Sequence, residues 1–400
     1  MGIINSLLDN DFYKFSMCQA VLHQYPSVNV RWAFKWRNWK DMKLTVPIES
    51  LCDQVNQELD HLCTLQFKSD ELHYLSTIPF FSQDFVEYLS LLKLKRDHIH
   101  AYVSDGELKI EANGTWLSTI LFEVPTLAIV SQLYSLLNGD YTFNWRLRGR
   151  RNLQHKVSRL NASIHRDQAF RFADFGTRRR ANFEWQEEVL KYLIANTGYM
   201  FVGTSNVLLA YKLGIKPIGT MAHEYFQAHQ QIKSRLIDSQ KVALQSWADE
   251  YRGELGIALS DTIGFDAFLK DFDRYFALLF DGCRHDSGDP VQWCEKLIAH
   301  YEKLRIDPKT KTAIFSDGLS FEIAVDLFRR FGSRINVSFG IGTYLTNDCG
   351  FKAPQIVMKL VEVNGLPVAK ISDSKGKGMC EDDEFLSYLK KVIRDKINGF

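Results

Sequence analysis

Proline is scarce in this chain, nine among 400 residues, and no Gly-, Ser- or Pro-rich tract interrupts it, so neither a flexible linker nor a low-complexity segment is expected. Net charge is almost absent. The 49 Lys and Arg residues nearly cancel the 48 Asp and Glu residues, which removes any global field for nucleic acid or a membrane surface and makes any anion site a local feature. Cysteine is sparse and odd in number: seven residues, at 18, 52, 63, 283, 294, 349 and 380, with no C-x-x-C. That excludes a disulfide framework or zinc knuckle and reads as core thiols in a reducing compartment. No uninterrupted apolar run approaches the roughly 20 residues that cross a bilayer. The opening "MGIINSLLDNDFYKF" has no basic stretch followed by an apolar one, and Gly2 reads as the start of a fold, not an acylation site. A cytosolic protein is expected. What the chain does have is apolar mass, 46% of its residues, enough for a large core divided into two or three domains.

Up to about residue 145 the pattern is mixed. "VNVRWAF" (28–34), "HIHAYVS" and "ELKIEA" alternate like strands, the last two joined at Asp105-Gly106. "STIPFFSQDFVEYLSLL" and "TLAIVSQLYSLLNG" have helical spacing, the second closed by Gly139. From about residue 168 short apolar runs each lead into a Gly-rich or polar turn and then a helical pattern. They are "AFRFADFG" (169–176), "GYMFVGTS" (198–205), "KPIGTMAHE" (216–224), "FALLFDGCRHDSGD" (276–289), "TAIFSDG" (312–318) and "INVSFGIGT" (335–343). This β-loop-α grammar predicts parallel strands with right-handed crossovers. An open doubly wound sheet and a barrel both satisfy it. No G-x-G-x-x-G opens a helix, and polar residues follow nearly every run, which favours an irregular barrel with its site at the carboxyl ends of the strands. The expected boundaries are an α+β domain over 1–145 and a barrel-like α/β domain over 146–354.

The strand-end loops carry the chemistry. Glycines with small hydroxyl residues at a helix start let backbone N–H groups approach a phosphate, so "FGIGTYLTND" is a phosphate-cradle candidate. Residues 146–180 hold eleven Lys or Arg and two Asp. Such a stretch is as readily a solvated face, and Arg178 is the member expected to point inward. Asp286, Asp289 and Asp317 offer hard oxygens for ribose hydroxyls or for a Mg²⁺ carried by a phosphate ligand. With no His-Glu-x-x-His, no protein-bound metal is expected. His223, between an apolar run and a polar helix, suits a nucleophile or proton carrier whose ring a neighbouring carboxylate orients, whereas His229 is expected at the surface.

"LDNDFYKFSM", "DFGTRRR", "GTSN", "MAHEYFQAHQ", "RHDSGDP" and "FGIGT" occur in an order and spacing that resemble the nicotinate phosphoribosyltransferase family, from about residue 8 to about residue 380. One departure is "SDSKGKGM" (372–379), where the family pattern leads one to expect proline at Lys375. The resemblance implies transfer of the phosphoribosyl group of phosphoribosyl pyrophosphate to nicotinate, giving nicotinate mononucleotide and pyrophosphate in NAD salvage. It also implies coupling to ATP through a phosphohistidine at His223, with Mg²⁺ brought by ATP and phosphoribosyl pyrophosphate. Phe175 would stack on one face of the pyridine, and Tyr13, reaching over from a second subunit of a homodimer with a shared site, on the other. Arg178 and Arg284 would meet substrate anions, and Asp286 and Asp317 ribose hydroxyls. Gly318, Gly340, Gly342 and Thr343 would cradle the 5′-phosphate, while Thr204 and Ser205 would line the substrate site. The resemblance also implies that the returning C-terminal strands in "QIVMKLVEVNGLPVAKISD" complete the α+β domain, over about 355–400.

Two rivals share these loops: a nicotinamide-specific transferase and a catalytically idle nucleotide-binding barrel. In the first, the loop matching "GTSN" tends to carry a carboxylate; here it has Ser205, whose hydroxyl, with the N–H groups of its helix start, is expected to donate to nicotinate's carboxylate. The second would need no reactive His223. Neither nucleic acid nor a membrane is expected as a partner.

Overall fold

The structure, a computed structural model, describes residues 2–42, 44–165, 167–232, 234–374 and 376–399. Lys375 therefore lies outside the described residues. Among the described residues, eleven strands form two sheets. The first is antiparallel, with order β11-β10-β1-β3-β2, where β1 is Asn29–Trp36, β2 Ile99–Ser104, β3 Glu107–Thr115, β10 Ile356–Val363 and β11 Leu366–Pro367. The β2–β3 hairpin turns at Asp105-Gly106, whose φ angles of 53° and 71° give the left-handed pair that a two-residue turn needs. Along β3 the alternate residues Leu108, Ile110 and Ala112 are buried. The C-terminal strand β10 pairs with β1, so the last part of the chain returns to the first.

Helix Glu123–Leu137 is apolar on nearly every side and runs through the core. The stretch Trp116–Leu137 is long and apolar enough to cross a bilayer, but 83% of it is buried inside the protein. Its composition is that of a core helix.

The second sheet has order β5-β4-β9-β8-β7-β6, all parallel. Its strands are β4 Phe172–Asp174, β5 Phe201–Thr204, β6 Ile257–Leu259, β7 Gly282–His285, β8 Thr312–Phe315 and β9 Asn336–Ile341. The expected irregular α/β barrel is present, but two runs differ from the sequence reading. Residues 216–224 form no strand, only an isolated bridge from Thr204 to Pro217. This segment spans the gap between the edge strands: Ile218 N–H donates to Thr204 O at 2.8 Å, and Thr220 Oγ1 donates to Ile257 O at 2.8 Å. Gly203 permits the approach, since its φ of 144° suits glycine and a Cβ there would lie 2.1 Å from Lys216 O. The other edge, β6, was not anticipated, because three residues give too short a run to stand out. In the 276–289 run only Gly282–His285 is strand; Arg274–Leu279 is helix, capped by Asp273.

Candidate active site

The carboxyl ends of the parallel strands open onto adjoining cavities. One of about 640 Å³ is lined by Phe175, Arg178, Arg284, Asp286, Asp317 and Thr343 among others. A second, of about 270 Å³, runs into the barrel past Asp11, Tyr13, Phe175, Arg178 and Ser205. A small one of about 40 Å³ lies against His223. Arg178 and Arg284 line all three. The largest depression, about 1060 Å³, lies elsewhere, between β1, β3 and residues 370–381, and contains none of the expected site residues.

His223 opens a short helix, His223–Ala228, at the end of the segment that closes the barrel. Its Nε2 lies 2.8 Å from Asp261 Oδ1 and 3.5 Å from Asp286 Oδ2. Asp261, just past β6, is held in turn by Lys370 Nζ at 3.0 Å and by the Ser287 hydroxyl. Burial, reinforced by Lys370, pulls the His223 ring down to about 4, so it is neutral at pH 7 with a lone pair available. The orienting carboxylate is thus Asp261. Glu224, the neighbour in sequence, turns away to the Lys14 ammonium and Trp116 Nε1 (3.1 Å), and burial raises its pKa. Lys14 also reaches Glu123 at 2.7 Å. Asp286 accepts from Ser316 Oγ at 3.0 Å and is held at about 2; burial opposes its ionisation, but Arg284 and His223 outweigh it. The atoms of His223, Asp261 and Asp286 lie within 4.8 Å of one another, but Lys370 and Ser287 already occupy the second oxygen of Asp261. The set therefore suits a held imidazole better than a resident metal.

The N-terminal motif "LDND" docks onto the barrel ends. Asp9 receives both terminal nitrogens of the buried Arg180, and Asp11 accepts from Ser205 Oγ at 2.7 Å with Arg178 Nε at 3.8 Å. Tyr13 follows on the helix Phe12–Gln24 and enters the cavity from its own chain. The Asp9 and Asp11 anchors bring Tyr13 to the cavity of its own chain, where the resemblance implied a second subunit's.

Several other expectations also change. The Ser205 hydroxyl is committed to Asp11. The helix-start amides are committed as well: Ser205 N to Asp174 O (2.8 Å), Asn206 N to Thr204 Oγ1 (3.1 Å) and Val207 N to Asn10 O (2.9 Å). None is free for a substrate carboxylate. Thr204 is buried, donates to Asp174 Oδ2 at 2.8 Å and lines none of these three cavities. Gly340 sits inside β9, where a Cβ would come 2.2 Å from the Phe175 ring; it makes room for that ring instead of cradling phosphate. Gly318, Gly342 and Thr343 do line the 640 Å³ cavity. Asp317 does too, paired with Lys377. Asp289 caps the helix Pro290–Lys303. His229 is fully buried, bonded to Tyr225 O (2.7 Å) and the Tyr25 hydroxyl (3.0 Å). His285 is also buried and faces Gly288 O.

Among the described residues of the basic stretch 146–180, only Arg178 and Arg179 reach these three cavities. Arg150 and Arg159 pair with Glu188 and Glu322 on the exposed side of the helix Trp145–Ser163, and the buried Lys156 pairs with Asp348. The cavity's charge comes from across the chain. Arg37, Arg179, Lys359, Lys370 and Lys377 join Arg178 and Arg284 around it, against only Asp286 and Asp317. Sequence reading missed these five cations and Asp261. "GIALSD", an apolar run ending in a polar pair as "TAIFSD" does, is the signal that could have found Asp261.

A dense ring of cations surrounds two carboxylates, with a neutral histidine at its edge. Residues 170–397 match the nicotinate phosphoribosyltransferase (NAPRTase) family, and residues 8–131 match its N-terminal domain. The chain belongs to the nicotinate phosphoribosyltransferase family. It is 50% identical to the nicotinate phosphoribosyltransferase of Acinetobacter baumannii over 398 residues, 98% of this chain and 97% of that one. With the Chromobacterium violaceum enzyme it shares 51% over the same shares of the two chains. Among solved structures, the nicotinate phosphoribosyltransferase of Vibrio cholerae superposes with a TM-score of 0.92 at 40% identity, covering 98% of this chain and 94% of that one. The Porphyromonas gingivalis structure gives 0.89 at 32%, covering 98% and 100%.

Proposed function

We propose that the protein transfers the 5-phosphoribosyl group of phosphoribosyl pyrophosphate to the ring nitrogen of nicotinate, and that ATP drives the transfer through a phosphohistidine at His223. The observation that carries the coupling is the state of that ring: neutral, with one nitrogen on Asp261 and the other without a partner among the described residues. A neutral imidazole attacks the γ-phosphorus with its free nitrogen, the bond from that phosphorus to the bridging oxygen breaks, ADP leaves with the electron pair, and Asp261 steadies the positive charge that develops on the ring. Phosphoribosyl transfer needs a positioned pyridine and a stabilised leaving pyrophosphate. Tyr13 and Phe175 line the cavity suited to the pyridine, and Arg178, shared by all three cavities, is the cation available to its carboxylate. Asp286 and Asp317 supply oxygens for the ribose hydroxyls, and Gly318, Gly342 and Thr343 line the part of the cavity suited to the 5′-phosphate. Mg²⁺ would arrive on the polyphosphates and neutralise their oxygens. The seven free thiols fit a reducing cytosol.

Asp11, a carboxylate in the pyridine cavity, favours the competing nicotinamide reading, but Arg178 at 3.8 Å offsets its charge. Nucleotide formation from labelled nicotinate and labelled nicotinamide, each with and without ATP, tests the proposal. His223→Asn is expected to abolish acid-labile, base-stable labelling from γ-labelled ATP and to leave slow, ATP-independent transfer. Undiminished labelling in that variant, or preference for the amide, would overturn it.

A further inference from the structure

Lys359 is a cation for which neither the family match nor the sequence motifs give a role. It stands on β10, opposite Ala33 of β1, in the middle of a paired strand whose backbone is fixed. Its side chain lines both the 640 Å³ cavity and the small one against His223. Every other cation around the larger cavity is engaged. Arg37 donates to Lys377 O, Arg179 to Ile356 O and Arg284 to Met221 O, while Lys370 and Lys377 pair with Asp261 and Asp317. Arg178 lies between Asp11 and Glu123. Lys359 alone has no hydrogen bond or ion pair among the described residues. A partly buried ammonium left without a counter-ion is costly, and such a group persists where a ligand supplies the missing charge.

Resting on the transfer reaction proposed above, we propose that Lys359 contacts the leaving pyrophosphate and stabilises the charge that develops on it. Its position favours this end of the substrate. Gly318, Gly342 and Thr343 belong to the larger cavity alone, whereas Lys359 shares the small cavity with His223, Arg178 and Asp286. In the step, the C1′–O bond breaks and its electron pair leaves on a pyrophosphate oxygen, while the pyridine nitrogen's lone pair forms the new C1′–N bond. No oxidation occurs. Lys359 keeps its proton and donates a hydrogen bond to the departing oxygen.

Burial makes this contact switchable. Burial brings Lys359 down to about 7; Glu123 and Asp286 oppose that shift, and Lys370 and Arg178 reinforce it. Glu224, His223, Arg284 and Tyr13 complete the surroundings. Near and above neutral pH much of the residue is therefore uncharged until an anion enters and restores its proton. The proton taken up on binding is released when pyrophosphate departs.

Binding of magnesium pyrophosphate and of ribose 5-phosphate to the full-length protein separates the two ends of the substrate. Lys359→Met is expected to weaken magnesium pyrophosphate by at least about tenfold and to leave ribose 5-phosphate within about twofold. It should also lower kcat/KM for phosphoribosyl pyrophosphate by roughly a hundredfold, mostly in kcat. Removing an unpaired charge should not lower the melting temperature, whereas loss of a structural lysine would. Lys359→Arg, permanently charged, should retain pyrophosphate binding but lose proton uptake. At pH 8, calorimetry in buffers of different ionisation enthalpy should find the wild type taking up about half a proton or more per site beyond the Arg variant. Equal proton uptake in both proteins, or weakened ribose 5-phosphate with pyrophosphate unchanged, overturns the assignment. Failure of ATP labelling at His223 would not, because neither ligand requires it.

Discussion

Asp261→Asn preserves the shape of the group behind His223 and removes its charge. In the wild type, Asp261 is 1% exposed and holds His223 Nε2 at 2.8 Å and Lys370 Nζ at 3.0 Å. Two effects follow. Lys370, itself buried, loses its counter-ion; orphaning one member of a buried pair destabilises by about 3–5 kcal/mol, and the lower end applies because Lys370 also lines a cavity. The second effect is chemical. Phosphorylation of a neutral ring leaves positive charge on the imidazole, and a carboxylate about 4 Å from that charge at an effective dielectric near 20 is worth about 4 kcal/mol, roughly a thousandfold in rate. An Asn side chain can also present its amide N–H to Nε2 and so favour the wrong tautomer, which acts in the same direction. The expected result is a roughly thousandfold slower ATP hydrolysis and acid-labile labelling, while ATP-independent transfer stays within about tenfold, since Asp261 lines none of the three cavities. A folded Asp261→Asn protein that is labelled within tenfold of the wild-type rate would refute the assignment of Asp261 as the ring's partner.

Gly340→Ala would drive a Cβ to 2.2 Å from the Phe175 ring; displacement of that ring should lower kcat/KM for nicotinate by about 10- to 100-fold in steady-state assays, with a smaller effect on phosphoribosyl pyrophosphate. Ser205→Ala should change the nicotinate-to-nicotinamide preference by less than about threefold, because its proton goes to Asp11; Arg178→Lys should raise KM for nicotinate by about tenfold or more through loss of the planar fork. His229 is buried with its pKa lowered to about 4 by desolvation, so the folded state resists a proton that the unfolded chain accepts below about 6.5. Its stabilising contribution is complete above that value and is lost as pH falls towards 4, by about 1.4 kcal/mol per pH unit; urea midpoints between pH 7 and 5 should fall less steeply in His229→Gln than in the wild type.

The barrel was legible because its grammar is local. "TAIFSDG" and "INVSFGIGT" each place an apolar run before a polar turn, and both become parallel strands, β8 and β9. The returning strand "QIVMKLVEV" was expected through the family resemblance and not from such grammar, and it pairs with β1. The closure was not. Residues 216–220 join two sheet edges with only a bridge and a few hydrogen bonds, so their apolar character reports burial inside the barrel and not membership of a ladder. Length explains the missing edge: β6 has three residues, too few for periodicity to distinguish strand from coil.

At the site, what the sequence disclosed were residues beside glycines on strand-end loops, and what it concealed were partners distant in the chain. His223 stands out beside Glu224, yet the ring turns to Asp261, 38 positions away, while Glu224 faces Lys14, 210 positions away. Adjacency misled here because the pair starts a helix, where consecutive side chains point about 100° apart and cannot share one target. The same geometry explains Ser205 and Thr204: on successive positions at a strand end, one reaches Asp11 and the other Asp174, and neither carboxylate is near in sequence. Lys359 was hidden differently. In "VMKLVEV" the lysine reads as part of a solvent-facing alternation, a reading that the burial of Val357, Met358 and Leu360 around it contradicts. A cation without a counter-ion on such a strand, lining two cavities, is a charge kept for a ligand, which is why pyrophosphate binding, and not stability, should register its removal.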